Sequence, residues 1–133
     1  MPARRVVRFG LAIGFAIDVY VGVISLVAPR LITPLFDIPM HDPTLAQLAG
    51  GEFIVAALVY ALAFRDPQRY RALLWLCALD QLFAVAMPLL ALAHSAIPGT
   101  WKVVAPIPLQ ALLVVLFAVT ATRGLPAADG KQG

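Results

Sequence analysis

Apolar residues along the chain fall into four long runs, separated by short polar or proline-rich segments. The runs cover residues 9–28, 45–64, 72–93 and 103–122. Each is close to the roughly 20 residues that an α-helix needs to cross the hydrocarbon of a bilayer. The pattern predicts an all-α integral membrane protein with four transmembrane helices in one domain. The last residues, 124–133, are mostly polar, and we expect them to form a disordered tail.

The composition agrees with a membrane protein and excludes a soluble fold. Hydrophobic residues make up 62% of the 133 residues and charged residues only 13%, which leaves too little polar surface to cover a soluble domain. The single cysteine, Cys77, rules out an intrachain disulfide. The net charge of +3 is spread over the ends of the apolar runs, so we do not expect nucleic acid as a partner.

The segments between the runs have the composition of connections. Residues 29–44 contain four prolines, which favours an irregular segment at the membrane surface. Either Asp42 or Thr44 can cap the second helix. Pro88 predicts a kink in the third helix. The polar cluster of the first connection, which includes His41, is expected to be solvated, and no motif indicates a metal or a cofactor.

The distribution of basic residues predicts the topology. Eight of the ten Lys and Arg residues lie in the N-terminal segment, the turn 65–71 and the C-terminal tail. The other two connections hold only Arg30 and Lys102. Because basic residues stay on the cytoplasmic side, both termini are expected in the cytoplasm. Four spans joined by short turns then predict an up-down bundle.

Three acids inside the runs are the main indication of function: Asp18, Glu52 and Asp80. Asp18 lies about 15 Å along the helix axis from Arg8, at 1.5 Å per residue. A side chain this short cannot reach the membrane surface, so it needs a partner or a wet cavity. A neutral acid beside an ionised one is the arrangement used in acid-base chemistry. We expect Asp18 and Glu52 to form the catalytic acid-base pair, with Asp80 orienting them.

Further side chains are candidates for binding a ligand. Aromatic faces can stabilise a cation. The candidates for the walls of a ligand pocket are therefore Tyr20, Tyr60, Trp75 and Phe83, and the candidate polar contacts are Gln81 and Gln110. Alternatively, the acids are protonated and serve only to hydrogen-bond one helix to another, with the same glutamines and tyrosines as partners.

Glycines recur on the face of the first helix that carries Asp18. Gly10, Gly14 and Gly22 are four or eight residues apart, and small residues at this spacing let another backbone approach closely. Ordinary packing inside the bundle explains this stripe. The face formed by Gly10 and Gly14 also permits a homo-oligomer.

Short motifs along nearly the whole chain resemble those of known membrane proteins. Ala-Pro-Arg-Leu at 28–31, Leu-Ala-Gly-Gly at 48–51, Phe-Arg-Asp-Pro at 64–67 and Arg-Tyr-Arg at 69–71 resemble small bacterial four-helix membrane proteins of the DoxX-like and BphX-like kind. The resemblance implies a multi-pass protein of the bacterial inner membrane, and it says little about activity.

A second, fainter resemblance is to EXPERA-domain proteins, which include the sterol Δ8-Δ7 isomerase and the sigma-2 receptor. The matching features are Asp18, Gly-Glu-Phe at 51–53 and Ala-Pro at 105–106. The resemblance implies a pocket for sterol-like or cationic amphiphilic ligands between four helices. Asp80 stands where an EXPERA protein has a histidine in the third helix, which is a departure from the catalytic pattern.

Two hypotheses of function follow. The first is a membrane-embedded acid-base enzyme or binding protein for a lipophilic, isoprenoid- or sterol-like small molecule, with isomerisation, cyclisation or epoxide opening as the reaction. Each of these reactions needs a proton donor, a carboxylate and a dry site. The second is a non-catalytic accessory subunit, or a small transporter or proton-relay protein, embedded in the same bilayer.

Overall fold

The computed structural model describes residues 2–125, and every regular element in this range is helical. Two short elements follow the first helix, a 3-10 turn at Pro29–Leu31 and a single helical turn at Ile32–Phe36. The helices are α1 (Pro2–Val27), α2 (Ile32–Phe36), α3 (Pro43–Arg65), α4 (Arg71–Ala93), α5 (Trp101–Val104) and α6 (Pro106–Arg123).

Four helical segments are long and apolar enough to cross a membrane, which confirms the four predicted runs. They are α1, α3, α4 and the continuous stretch from α5 to α6. The protein is therefore a multi-pass membrane protein. Most of the tail predicted at 124–133 lies outside the described residues. Its first two residues are described, and Leu125 donates its backbone N–H to Gln68 Oε1 at 3.1 Å.

The ends of the helices follow the local sequence. Asp42 caps α3, since its Oδ1 accepts from the backbone N–H of Thr44 at 2.8 Å. The connection before it was predicted to be irregular and is partly helical. Ala105 separates α5 from α6 because Pro106 has no N–H to continue the hydrogen-bond ladder. Helix α4 continues through Pro88 without a break, and the kink stays a prediction.

The four long helices form two closely packed pairs, α1 with α3 and α4 with α6. Smaller contacts between α3 and α4, and between α1 and α6, join the pairs. Glycines bring α1 and α3 together. A Cβ on Gly50 would lie 2.8 Å from the Cβ of Ser25 and 2.9 Å from the carbonyl oxygen of Gly22. The packing of α1 against α3 therefore depends on the missing side chain.

Arginines tie the helices together at one end of the bundle, which we call the arginine end. Arg4 pairs with Asp66 at 3.2 Å, and Arg8 Nη2 donates to the carbonyl of Arg65 at 2.8 Å. Arg71 donates to the last turn of α6. The backbone N–H of Arg69, with further donors from Gln68 and Arg4, holds the pKa of Asp66 below its usual value of 3.8. The start of α1, the end of α3, the start of α4 and the end of α6 meet here.

At the opposite end, which we call the loop end, polar contacts of one lysine connect two of the short helices. Lys102 of α5 forms an ion pair with Asp37 at 3.0 Å and donates to the carbonyl of Pro34 at 2.8 Å. Phe36 of α2 packs edge-on against Tyr20, with ring centroids 6.1 Å apart. Helix α2, which follows α1, is thus fastened to α5, which leads into α6.

The buried apolar core lies in the half of the bundle next to the arginine end. It contains the beginnings of α1 and α4 and the ends of α3 and α6. Its members are Val7, Leu11, Tyr60, Ala63, Leu74, Cys77, Ala78, Leu113, Phe117 and Ala121. The candidate site lies at the inner limit of this core.

Candidate functional site

Tyr60 is the centre of a buried hydrogen-bond cluster. Its side chain is 1% exposed, and its hydroxyl accepts from Gln81 Nε2 at 2.8 Å. The hydroxyl oxygen is 2.8 Å from Asp80 Oδ2 and 3.2 Å from the carbonyl of Cys77. The hydroxyl carries one proton, so its donation goes to the closer acceptor, Asp80. Gln81 Nε2 also lies 3.2 Å from the same carboxylate oxygen.

The ring of Tyr60 is fixed by contacts with three other helices. It projects from α3 and covers Gly14 of α1, where an added Cβ would lie 2.4 Å from ring atom Cε1. Its edge packs on Phe117 of α6, at a centroid distance of 5.9 Å. Its hydroxyl reaches Asp80 and Gln81 of α4. A small residue on α1 and a short carboxylate on α4 therefore make room for one large polar aromatic side chain.

Asp18 lies one turn beyond Gly14 on the same face of α1. The residue is 2% exposed, and its Oδ2 has no hydrogen-bond partner among residues 2–125. Gly14, one turn earlier, is covered by the ring of Tyr60. The second acid is therefore adjacent, along α1, to the Tyr60 cluster.

The two acids differ in the number of hydrogen-bond donors that the protein places at their Oδ2 atoms. Asp80 receives two donors at Oδ2, whereas Asp18 receives none at its own Oδ2. An ionised carboxylate only accepts hydrogen bonds. A bound molecule that donates to Oδ2 of Asp18 would satisfy this atom, whereas a proton on Oδ2 would itself need an acceptor, which residues 2–125 do not provide. Gln81 Oε1 is a second buried acceptor without a partner in the described part of the chain.

No basic side chain neutralises these acids, because the only ion pairs found within residues 2–125 are at the two ends of the bundle. The same range holds no group of three His, Cys, Asp or Glu side chains that could bind a metal ion. The arrangement thus offers two carboxyl groups in unequal surroundings, held between four helices.

The structure brings together four of the predicted site residues, Asp18, Tyr60, Asp80 and Gln81, and it places Glu52 elsewhere. Glu52 is exposed on α3. Gly50, two residues earlier, faces α1, and two residues correspond to about 200° around a helix. Glu52 therefore points away from the bundle interior and does not form the expected pair with Asp18.

The remaining predicted ligand contacts do not line the cluster. The side chains of Tyr20, Trp75 and Phe83 are 50–57% exposed on the outside of the bundle. Gln110 is half-buried on α6, one turn before the buried Leu113.

Both glycines of the face proposed for self-association point into the bundle. A Cβ on Gly10 would lie 2.7 Å from Leu116 of α6, and Gly14 is covered by Tyr60. Self-association through this face would have to displace these side chains.

The sequence did not indicate that the ring of Tyr60 packs against Phe117, or that the backbone carbonyl of Cys77 lies next to the Tyr60 hydroxyl. One pattern could have excluded Glu52. The small residues Ala46, Gly50 and Ala57 define the face of α3 that meets a neighbouring helix, and Glu52 lies opposite to them.

Comparison of the chain with protein-family models, with curated proteins and with solved structures gives no match. The resemblances to DoxX-like, BphX-like and EXPERA-domain proteins stay predictions from the sequence motifs.

Proposed function

We propose that this membrane protein binds a lipophilic, isoprenoid- or sterol-like small molecule inside its helix bundle and transfers a proton to or from it. The observation that carries the proposal is the buried Oδ2 of Asp18, which lacks a hydrogen-bond partner within residues 2–125. A buried polar group without a partner destabilises a fold by about 1–3 kcal/mol. A ligand that donates to Asp18 would offset this.

The unequal surroundings of the two acids support a division of roles. Asp18 is the catalytic residue, because its Oδ2 is the carboxylate oxygen that no group of residues 2–125 holds by a hydrogen bond. Asp80, held by Tyr60 and Gln81, is the stationary carboxylate whose charge stabilises positive charge that develops on the substrate. In isomerisation of a double bond, cyclisation or epoxide opening, Asp18 would first donate its proton to the substrate. The Asp18 carboxylate would then take a proton from the cationic intermediate and so return to its starting state. These reactions also benefit from a site without bulk water.

The orientation in the membrane belongs to the same proposal. We infer an up-down bundle in the bacterial inner membrane, with the arginine end and both termini in the cytoplasm. The contacts of Arg4, Arg8 and Arg71 support this orientation, because they gather the ends of all four long helices on one side. The excess of basic residues on that side is the feature that directs cytoplasmic placement.

The experiment that tests the proposal is mass spectrometry of small molecules that co-purify with the protein in mild detergent. Three proteins are compared: wild type, Asp18→Asn and the matched control Glu52→Gln. Each variant replaces one carboxylate by its amide, but only Asp18 belongs to the buried cluster. We expect a specific lipophile to be enriched with the wild type and with Glu52→Gln, and to be lost with Asp18→Asn.

Two results would contradict the proposal. The same bulk lipid in all three samples would favour the non-catalytic accessory subunit, in which Asp18 and Asp80 only hold helices together. Loss of the lipophile with Glu52→Gln but not with Asp18→Asn would move the site to the outer face of α3. Once the lipophile is identified, its conversion by the wild type but not by Asp18→Asn tests the acid-base step.

A further inference from the structure

The buried residues of α4 and α6 lie only in the half of each helix next to the arginine end. No residue of α4 beyond Gln81 is buried, and no residue of α6 before Leu113 is buried. In contrast, α1 and α3 stay in close contact towards the loop end, where Gly22 meets Gly50. This loss of burial is what a separation of the pair α4–α6 from the pair α1–α3 would produce between the level of the acids and Val103 of α5, which is buried again.

The face of α4 that continues from Gln81 towards the loop end has the exposure expected for the wall of a cleft. Ala84, Val85, Pro88 and Leu92 follow Gln81 on one face of the helix. All four are half-buried, whereas Leu82, Phe83, Leu89 and Leu90 on the other side of α4 are exposed. The wall is apolar and, from Gln81 to Ala93, about 18 Å long at 1.5 Å per residue. On α6, the half-buried Gln110 lies on the face that leads to Leu113.

The loop end closes this space. The ion pair of Asp37 with Lys102 connects α2, which belongs to the first helix pair, with α5, which belongs to the second. The hydroxyl of Thr100 and the ammonium of Lys102 beside Asp37 lower the pKa of this carboxyl, so the pair is ionised at neutral pH. At this end the ion pair, the hydrogen bond from Lys102 to the carbonyl of Pro34 and the contacts between α2 and α5 join the two pairs.

We infer that a single lipophile with a hydrogen-bond-donating head, a hydroxyl or an ammonium group, lies in this cleft with its head on Asp18, and that the Asp37–Lys102 pair is a latch over the cleft mouth. The ligand class rests on the proposed function, because the unpartnered Oδ2 of Asp18 calls for a donor. The cleft and its latch rest on the packing alone. An apolar body of up to about 18 Å fits along the wall, by the helix rise used above.

The latch is tested by thiol labelling of the protein in lipid nanodiscs. Cys77→Ala provides the background, into which Ala84→Cys or Leu82→Cys is introduced. Ala84 lies on the cleft wall, and Leu82 lies at nearly the same depth on the opposite side of α4. A maleimide reacts with the thiolate, which requires contact with water. N-ethylmaleimide therefore reports the opening of the cleft at Ala84→Cys and serves as a lipid-face control at Leu82→Cys.

Opening the latch with Lys102→Met or Asp37→Asn should raise the labelling rate of Ala84→Cys about two- to fivefold, the range that a partly exposed ion pair supports. The rate at Leu82→Cys should not change. No change at Ala84→Cys would overturn the latch, and an equal rise at both positions would show a general loosening of the bundle and overturn it as well.

The ligand class is tested on the same protein with dodecylamine, dodecanol and dodecane. In the Lys102→Met, Ala84→Cys protein, dodecylamine and dodecanol should slow labelling, and dodecane should not. Addition of Asp18→Asn should remove the protection. Equal protection by all three compounds, or protection that survives Asp18→Asn, would refute head-group recognition at Asp18 and with it the proposed function. The response of Ala84→Cys to the latch would still stand, so the two failures are distinguishable.

Discussion

At the scale of single residues, the hydroxyl of Tyr60 holds the candidate site together. Tyr60→Phe keeps the ring between Gly14 and Phe117 and removes only the donor to Asp80 and the acceptor of Gln81. We expect a loss of about 1–2 kcal/mol in the free energy of unfolding, since buried polar partners remain without the bond. Denaturation in mixed detergent micelles measures it.

The control for this change is Tyr20→Phe, which also deletes one phenolic hydroxyl. Tyr20 is half-exposed, and its hydroxyl makes no hydrogen bond within the described residues. Its unfolding free energy should equal that of the wild type. Equal effects of both substitutions would mean that the Tyr60 hydroxyl contributes nothing specific to the cluster.

A second prediction at this scale concerns Gly14, whose missing side chain leaves room for the ring of Tyr60. Gly14→Ala places a methyl group 2.4 Å from the Tyr60 ring, so the ring has to move away from α1. We expect a destabilisation of about 1–3 kcal/mol, as for other overpacked interiors. Gly51→Ala is the matched control, because nothing lies within 4 Å of an added Cβ there. The prediction is wrong if the two alanine variants unfold at the same denaturant concentration.

At the scale of elements, the turn between α3 and α4 depends on the charge of Asp66. Donors from Arg69, Gln68 and Arg4 stabilise the ionised form and lower its pKa from 3.8. The contribution of Asp66 is therefore complete at neutral pH and is lost as the pH falls below about 4. Between pH 7 and pH 3, the melting temperature of Asp66→Asn should fall less than that of the wild type. Identical falls in the melting temperature of the two proteins would show that the charge of Asp66 does not stabilise the turn.

Sequence periodicity predicted the helices well, because length and apolar composition alone decide whether a helix can span a bilayer. It did not predict how each helix is rotated about its axis. Asp18 and Glu52 look alike as isolated acids in apolar runs, yet one is buried and the other exposed. The difference arises from the glycine contact of α1 with α3, which fixes the faces. The ion pair of Asp37 with Lys102 joins segments 65 residues apart, which no local pattern reveals.

At the scale of the whole molecule, the arginine end should face the cytoplasm. Gln68→Cys places a thiol in the exposed turn at the arginine end, and Ser95→Cys places one in the exposed connection at the loop end. Both are made in the Cys77→Ala background, so that each protein has one thiol. In intact spheroplasts a membrane-impermeant maleimide should label Ser95→Cys at once and Gln68→Cys only after lysis, because basic residues resist transfer across the membrane. The reverse order of labelling would show that the bundle has the opposite orientation, with the mouth of the cleft in the cytoplasmic half of the bilayer. In the expected orientation, the proposed lipophile would reach Asp18 from the outer half of the bilayer, so a substrate added from outside should be bound without first crossing the membrane.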